Sequence, residues 1–375
     1  MPRKPQPSPA DQELIDHAQR HGLQVSARQL ETWRHAGLLP RNIPRGLGRG
    51  RGSVSRVHDD ARGMVVWLAE HAQRGRRPTD LALLAFADGQ PLPEETVRAA
   101  FRSAADALTL PVEQSLDSNP GTSTPEAAAD AIADLVAQAG LTGTMLPRRV
   151  RDIDNRLRAT GLSWAPDAVA RLDRRPRDHE PLTSKDLAVT ALTMTRLGRQ
   201  GVSNQEIGDV TRALLPADAA SPFASMIEHL GEDMADVAVP DLGGAVPAGD
   251  VREKLRDLAA DQPLELLRLA WSTVDAIQDW AETLCAEVDA ELAAGQPGDA
   301  VRAWFLAAAL GARMFLVKAL RPGERTPTDQ AQWTIELLLI RDMLRTVHAH
   351  APDGHWERLE DPAVLPGCVR RLVDA

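Results

Sequence analysis

Residues 25–56, VSARQLETWRHAGLLPRNIPRGLGRGRGSVSR, hold the strongest local structural signals in this 375-residue chain. Ser26 is a good helix N-cap, and Gln29, three residues later, completes a capping box that satisfies free backbone N–H groups. Gly37 predicts the end of the helix, because a residue without a Cβ atom tolerates the left-handed conformation found there. The sequence therefore predicts a helix over 26–36.

A second helix is predicted immediately before this one. Ser8 and Pro9 are typical of a helix start, and Gly22 is typical of a helix end. A short turn then leads into the next helix, in which Leu30 and Trp33 share one face and can pack on a neighbour. Helix, glycine-containing turn and second helix together are the pattern of a helix-turn-helix.

Arginine and glycine alternate in the segment after residue 40. Glycine lets a backbone approach a phosphate closely, and arginine supplies bidentate hydrogen-bond donors to it. Between residues 20 and 77 there are twelve arginines and four acidic residues, a net charge of +8, whereas the whole chain carries −10. A cationic segment on an acidic chain indicates a localised site for a polyanion.

The stretch 25–40, VSARQLETWRHAGLLP, resembles the recognition-helix signature of MerR-type transcriptional regulators. In that family an arginine-rich wing follows, and then a helix pair, and residues 65–84 continue in a similar way. The resemblance covers about the first quarter of the chain, and it departs at Val57 and His58, where the family usually has an aromatic residue. It implies a winged helix-turn-helix, a homodimer, a palindromic operator and distortion of the DNA.

These observations predict how double-stranded DNA is bound. We expect the recognition helix 26–36 to enter the major groove, and the arginine-glycine wing 41–56 to lie on the DNA backbone. Arg28, Gln29 and Thr32 are expected nearest the base edges. The full set of predicted DNA-binding residues is Ser26, Arg28, Gln29, Thr32, Arg34, Arg41, Arg45, Arg49, Arg51, Ser53, Ser55 and Arg56.

The composition favours a mainly α fold, since alanine and leucine are plentiful, aromatic residues make up 3% and tyrosine is absent. We expect a winged helix-turn-helix DNA-binding domain over 8–110, a linker over 111–125, a helical middle region over 126–238 and an antiparallel helix bundle over 250–350. The middle region is a possible degenerate repeat of the first domain, because RDIDNRLRATGL at 151–162 is similar to RQLETWRHAGL at 28–38. Chance recurrence in an arginine-rich helical chain accounts for that similarity slightly better than a repeat does.

Four tryptophans fall on the predicted bundle helices. They are candidates for a pocket that binds a small apolar effector, and the alternatives are core packing, a dimer interface or contact with a protein partner. These tryptophans are Trp271, Trp280, Trp304 and Trp333.

Other classes of function find no support in the sequence. Cys285 and Cys368 are too few for a disulfide framework or a thiolate metal cluster, and the pair His17 and His21 has no third ligand nearby. No nucleophile elbow or acid-base constellation is present, so we expect no enzyme activity, no cofactor and no metal. Without a signal peptide or an apolar run long enough to span a bilayer, we expect no membrane contact and a cytoplasmic location.

We therefore expect a sequence-specific DNA-binding transcriptional regulator whose C-terminal helices sense an effector or form a dimer. The alternative is a non-enzymatic helical interaction protein whose basic segment tethers it to nucleic acid without sequence preference. The two differ in whether one DNA sequence is bound far more tightly than the rest.

Overall fold

The protein is mainly helical. The computed structural model describes residues 7–46, 53–73, 75–108, 146–162, 202–215, 219–229, 250–309, 311–350 and 366–375, with the single positions 186, 189, 190 and 193. The described helices are α1 (Pro9–Arg20), α2 (Ala27–His35), α3 (Ala61–His71), α4 (Pro78–Ala87), α5 (Glu94–Asp106), α6 (Arg148–Ala159), α7 (Asn204–Ala213), α8 (Pro222–Glu228), α9 (Val251–Asp261), α10 (Leu264–Ala294), α11 (Asp299–Ala309), α12 (Arg313–Ala319), α13 (Pro327–His350) and α14 (Gly367–Asp374).

The chain divides into two compact units that do not follow the order of the sequence. The first unit comprises Met1–Ala107, Ala259–Arg268 and Arg325–Gln332, and the second comprises the remaining residues. Residues of the predicted middle region and of the predicted bundle thus fall in one unit. The predicted linker 111–125 lies outside the described residues, and the antiparallel bundle and the repeat stay predictions.

Local capping signals set the limits of α1 and α2. The side chain of Ser8 accepts a hydrogen bond from the backbone N–H of Asp11 and so caps α1. Ser26 and Gln29 form the predicted capping box at the start of α2. At the end of α2 the backbone N–H groups of Gly37 and Leu38 bond to the carbonyls of residues 34 and 33, which is a Schellman motif.

Gly37 is required at this helix end for two reasons. Its φ angle is +71°, in the left-handed region that favours glycine. A Cβ atom added to it would also lie 2.4 Å from Oγ1 of Thr96 on α5. A larger residue would therefore strain the backbone and force the Thr96 side chain to move.

A short β-hairpin follows α2. Strand β1 (Ile43–Gly46) pairs antiparallel with β2 (Ser53–Arg56), and Ile43 faces Arg56 while Arg45 faces Val54. The residues between the two strands, 47–52, lie outside the described part of the chain. Both strands lie within the segment 41–56 that the sequence predicts as the wing.

One apolar core holds the first unit together. The predicted shared face of α2 is buried, and the T-shaped contact of Phe86 with Phe101, with ring centroids 5.5 Å apart, joins α4 to α5. Fully buried large side chains of this core are Leu14, Leu30, Leu38, Leu39, Met64, Leu68, Leu83, Phe86 and Phe101.

The apolar run over 303–312 predicts one continuous helix over 299–320, and this prediction is wrong. The structure has two helices there, α11 and α12, separated by Gly311 with a φ angle of +91°. The ring of Phe223 lies 3.0 Å from where a Cβ atom on Gly311 would be, so the backbone comes close to α8 at the break. Apolar composition alone does not reveal such a break, because a buried helix and two buried half-helices have the same pattern.

Within the described residues, no single helix has the length and apolarity needed to cross a bilayer. The pair α11 and α12 reaches that threshold only together, and the two are bent by 100° relative to each other.

Segments distant in sequence complete the first unit. The guanidinium of Arg98 donates to the carbonyls of Ala260 and Gln262, and Nε2 of Gln332 donates to the carbonyl of Ala104 at 3.0 Å. Leu267, in the same unit, is fully buried. The helices of residues 9–106 are therefore not a closed structure by themselves.

We predict that a fragment of residues 7–108 is less stable than the same unit in the full chain. Loss of the buried Leu267 side chain alone costs about 1.5–3 kcal/mol, which lowers the melting temperature of a domain of this size by about 6–24 °C. Thermal melts followed by circular dichroism measure the difference. The substitution Arg98→Ala in the full chain should also lower the melting temperature of the first unit. Equal melting temperatures for the fragment and for this unit in the full chain would contradict the prediction.

Candidate nucleic-acid interface

The exposed face of α2 presents three of the predicted DNA-binding residues together. Arg28, Gln29 and Thr32 are exposed, whereas Leu30 and Trp33 on the opposite face are buried. The guanidinium of Arg28 makes no ion pair with any described residue. Oγ1 of Thr32 donates to the carbonyl of residue 28 at 2.9 Å, so the hydroxyl oxygen can still accept a hydrogen bond. This face therefore offers a cation, an amide and a hydroxyl to an incoming partner.

The capping box fixes the orientation of the Gln29 amide. Its Oε1 accepts hydrogen bonds from the backbone N–H and from the hydroxyl of Ser26, both at 2.9 Å. A backbone N–H only donates, so the carbonyl oxygen of Gln29 must face it. The Nε2 group is left to donate to a partner, and Gln29 is a one-sided hydrogen-bond donor.

A shallow depression adjoins this end of α2. It is formed by the end of α1, the turn after it and the first residues of α2, so it continues the exposed face just described. Its lining residues are Gln19, Gly22, Leu23, Gln24, Val25, Ser26 and Gln29.

The one acidic residue on α2 is held at the edge of the face. A carboxylate oxygen of Glu31 lies 3.3 Å from Nδ1 of His35 and another lies 3.9 Å from Arg34. Glu31 therefore lies beside two basic side chains of the same helix.

Arg34 is predicted to contact DNA, but the structure places its side chain in contacts within the first unit. Its side chain is 10% exposed, and Nη2 donates to Oδ1 of Asp11 at 2.5 Å and to Oδ1 of Asn42 at 3.2 Å. Nδ2 of Asn42 in turn donates to Asp11 at 3.1 Å. The guanidinium thus ties α1, α2 and the start of the hairpin together, and it is not part of the interface that we propose.

Asp11 and Asn42 hold the Arg34 side chain, and the sequence does not reveal these contacts. They lie 23 and 8 residues from Arg34, with no regular spacing that points to a pair. Burial raises the pKa of the Asp11 carboxyl, but hydrogen bonds from Ser8, Arg34 and Asn42 and the positive charge of Arg34 outweigh this and leave the pKa below its ordinary value. A depressed pKa in the folded state means that the ionised carboxylate stabilises the fold.

We predict a pH-dependent stability difference for Asp11→Asn. The stabilisation by the carboxylate is complete above the ordinary aspartate pKa of about 3.9 and is lost as the pH falls through the lower folded-state pKa. The variant should therefore lose about 1–2 kcal/mol at pH 7, and the difference from the wild type should shrink below about pH 4. Urea unfolding at pH 7, 5 and 3 measures it.

Asp16→Asn is the matched control for this prediction, because Asp16 lies on the same helix and is exposed. Its substitution should change the unfolding free energy by less than about 0.5 kcal/mol at each pH. A constant difference between Asp11→Asn and the wild type at all three values would contradict the role of the carboxylate.

The hairpin carries the predicted wing residues that the structure describes. Arg41 and Ser55 are exposed, and the side chain of Arg56 is 64% exposed with Nη2 at 3.2 Å from Oδ1 of Asp59. Arg45 and Ser53 occupy strand positions opposite Val54 and Gly46. Arg49 and Arg51 lie outside the described residues.

Two exposed aliphatic side chains on the hairpin add a feature that the sequence prediction lacks. Ile43 is 41% exposed and Val54 is 44% exposed, and among the described residues the other exposed large hydrophobic residue is Met314. The register places Ile43 opposite Arg56, so Ile43, Val54 and Arg56 share one face of the ribbon. An arginine beside aliphatic groups suits a surface with charged phosphates and apolar sugars or methyl groups.

The four predicted ligand-binding tryptophans lie in the second unit in different surroundings. Trp304 is fully buried, and its Nε1 donates to Asp154 at 3.0 Å, while Trp333 is 3% exposed with Nζ of Lys318 5.4 Å from its ring centroid. Trp271 is buried and Trp280 is half-buried. The contacts of Trp304 and Trp333 are those of packed core residues, and an effector pocket stays a prediction.

In the parts of the chain that the structure describes, no group of three or more His, Cys, Asp and Glu residues is placed to hold a metal ion. Comparison of the chain with protein-family models, with curated proteins and with solved structures finds no match.

Proposed function

We propose that the chain is a sequence-specific regulator that binds double-stranded DNA through its first unit. The order of α1, turn, α2 and hairpin supports a winged helix-turn-helix of the MerR type, with α2 as the recognition helix. The observation that carries the proposal is the exposed face of α2, where Arg28, Gln29 and Thr32 stand together without ion-pair partners among the described residues. Cationic side chains on an otherwise acidic chain support a polyanionic partner.

In this proposal α2 reads base edges and the hairpin holds the backbone. Arg28 and Gln29 offer donors to purine acceptors, and the Thr32 methyl group can contact a thymine methyl. Arg41, Arg45, Arg49, Arg51 and Arg56, with Ser53 and Ser55, contact phosphates, while Ile43 and Val54 contact sugars in a groove. Arg34 keeps the hairpin oriented on α2 through Asp11 and Asn42.

The wider parts of the proposal follow from the resemblance to MerR-type regulators. The active species is a homodimer on a palindromic site, and the helices of the second unit bind a small apolar effector or a protein partner. The chain acts in the cytoplasm, without enzyme activity, cofactor or metal.

Selection of bound sequences from random duplex DNA tests this function. We expect one enriched site, bound roughly a thousandfold or more tightly than unrelated duplex. Uniform binding to all duplexes, lost steeply with added salt, would contradict sequence-specific regulation and support a nonspecific nucleic-acid tether instead.

We predict that Arg49→Ala combined with Arg51→Ala weakens binding to every duplex alike. Phosphate contacts carry no sequence information, so the ratio of specific to nonspecific affinity should stay constant while the slope of log K against log salt falls by about 1.8. Arg302→Ala with Arg321→Ala removes the same charge from exposed positions of the second unit and should leave the slope unchanged. An unchanged affinity in the first variant would contradict the wing assignment.

A further inference from the structure

A second cationic segment lies in the other unit of the chain. Between residues 148 and 177 there are nine arginines and four aspartates, a net charge of +5 on a chain that carries −10 in all. Five of these arginines belong to α6, RRVRDIDNRLRA, which has only 12 residues. The proposed DNA contact in the first unit does not account for this helix.

One side of α6 is buried, and the arginines at one edge of that side form ion pairs with another helix of the second unit. Val150, Ile153 and Leu157 are buried. At one edge, the guanidinium groups of Arg149 and Arg156 both donate to the carboxylate of Asp289 on α10. These two arginines therefore act as ion-pair partners within the second unit.

The other edge of α6 faces outward. Arg148, Arg151, Asn155 and Arg158 are exposed and follow one another at intervals of three, four and three residues, so they form one line along the helix, here called the outer stripe. Arg148 is 88% exposed and lies 3.5 Å from Asp152, a surface pair of small energy. Arg151 makes no ion pair with any described residue. Arg148 and Arg151 therefore carry cationic charge that the fold does not require.

We propose that the outer stripe is a second nucleic-acid-binding surface that holds the phosphate backbone of double-stranded DNA. This inference rests on the proposed function only in taking duplex DNA as the polyanion. It assigns to α6 affinity without sequence preference, since phosphate contacts position a protein and base contacts specify it.

The side chains of the stripe favour phosphate over other acidic partners. Arginine binds phosphate in a bidentate manner, and asparagine donates to phosphate oxygens as well. From Arg148 to Arg158 the stripe spans about 15 Å of helix, which matches about four successive phosphates of one DNA strand along its axis. The stripe contains no large apolar or aromatic residue, although such residues form the centre of protein–protein interfaces.

The test compares two variants of the full chain that lose the same charge. Arg148→Ala, Arg151→Ala and Arg158→Ala are combined in the stripe variant, and Arg302→Ala, Arg321→Ala and Arg371→Ala in the control variant, in which all three arginines are exposed in the same unit. The binding of fluorescein-labelled duplex of unrelated sequence is titrated between 50 and 200 mM salt. The stripe variant should lose about 10–100-fold in affinity at low salt, and its salt slope should fall by about 2–3. The control variant should change by less than about threefold.

Protection of the arginines gives a second measurement. Duplex DNA should slow the modification of Arg151 by phenylglyoxal, mapped by mass spectrometry, and leave Arg371 as reactive as in the free chain. Because the substituted side chains are exposed, thermal melts of both variants should match the wild type.

Several results would overturn this inference. Equal affinity losses in the stripe and control variants would show that only the net charge of the chain matters. An Arg151 that DNA does not protect would show that the outer stripe does not contact the duplex. Tighter binding of the stripe to polyglutamate or to single-stranded RNA than to duplex DNA of equal charge would assign the surface to another partner. If the stripe variant binds normally while Arg28→Ala loses affinity, the second surface fails and the proposed function stands; if Arg28→Ala has no effect on any duplex, the proposed function itself fails.

Discussion

Replacing Arg313 with leucine is expected to lower the free energy of unfolding of the second unit by about 3–5 kcal/mol. The side chain of Arg313 is 2% exposed, and its guanidinium pairs with the carboxylate of Asp154, which is 6% exposed. Its Nε donates to the carbonyl of Leu214, and Nε1 of Trp304 donates to the same carboxylate. Without Arg313 the buried Asp154 carboxylate keeps, among the described residues, only the Trp304 N–H as a hydrogen-bond donor, and burial of an unpaired charge costs several kcal/mol.

The double substitution separates the ion pair from simple packing. Asp154→Leu combined with Arg313→Leu removes both charges of this buried pair, so this variant should be more stable than Arg313→Leu alone, although Trp304 then lacks its acceptor. Arg321→Leu, at an exposed position, is the matched control and should change the stability by less than about 0.5 kcal/mol. Urea unfolding followed by tryptophan fluorescence measures all three. A double variant as unstable as the single one would show that Arg313 acts through its packed volume, not through its charge.

The limits of α2 could be predicted from the sequence because the signals that set them are local. Ser26 and Gln29 are three residues apart, and Gly37 adopts its positive φ angle with bonds to the preceding turn. The buried pair Leu30 and Trp33 follows from helical periodicity in the same way. In such cases both interacting residues lie within one or two helical turns of each other, so a short stretch of sequence is enough to predict the interaction.

The partners of Arg34 and Arg313 could not be predicted because they are distant in sequence. Arg34 bonds to Asp11, 23 residues away, and the sequence alone gives equal reason to assign this arginine to DNA. Arg313 pairs with a residue 159 positions earlier, and the helix break before it places it there. For the same reason the sequence does not show that residues 259–268 and 325–332 belong to the first unit. Tertiary contacts decide these features, and periodicity does not encode them.

The candidate DNA interface also has one part that the local sequence predicts and one part that depends on contacts between distant residues. The exposed Arg28, Gln29 and Thr32 follow from the helical pattern, since they lie opposite the buried face. The exposure of Ile43 and Val54 on one face of the hairpin depends on the strand register. The glycine-rich sequence between the strands does not predict that register. Charge counting predicts the cationic segment around the hairpin, and the same count over 148–177 reveals the second one.

The strongest effect on DNA recognition is expected at Gln29, because its amide has one fixed orientation. Both hydrogen bonds to Oε1 come from Ser26, which leaves only the Nε2 donor for the DNA. Bidentate recognition of adenine by glutamine needs both amide atoms. While the capping box is intact, Gln29 can therefore donate only to an acceptor such as N7 or O6 of a purine or O4 of thymine, and it cannot accept from the adenine N6 amino group.

Gln29→Glu keeps the cap and removes this donor, since glutamate is an equally good capping-box partner for Ser26. The carboxylate then faces acceptor atoms and phosphates with a negative charge, so affinity for the selected site should fall about 100-fold, or about 2.7 kcal/mol, while the melting temperature stays the same. Gln29→Ala loses one base contact, worth about 1–3 kcal/mol, and should relax the preference at one base pair. Gln296→Glu, exposed in the second unit, carries the same charge change and should bind as the wild type does. Fluorescence anisotropy against the selected site and its single-base variants measures the series. If Gln29→Glu bound as tightly as Gln296→Glu, α2 would not lie in the groove.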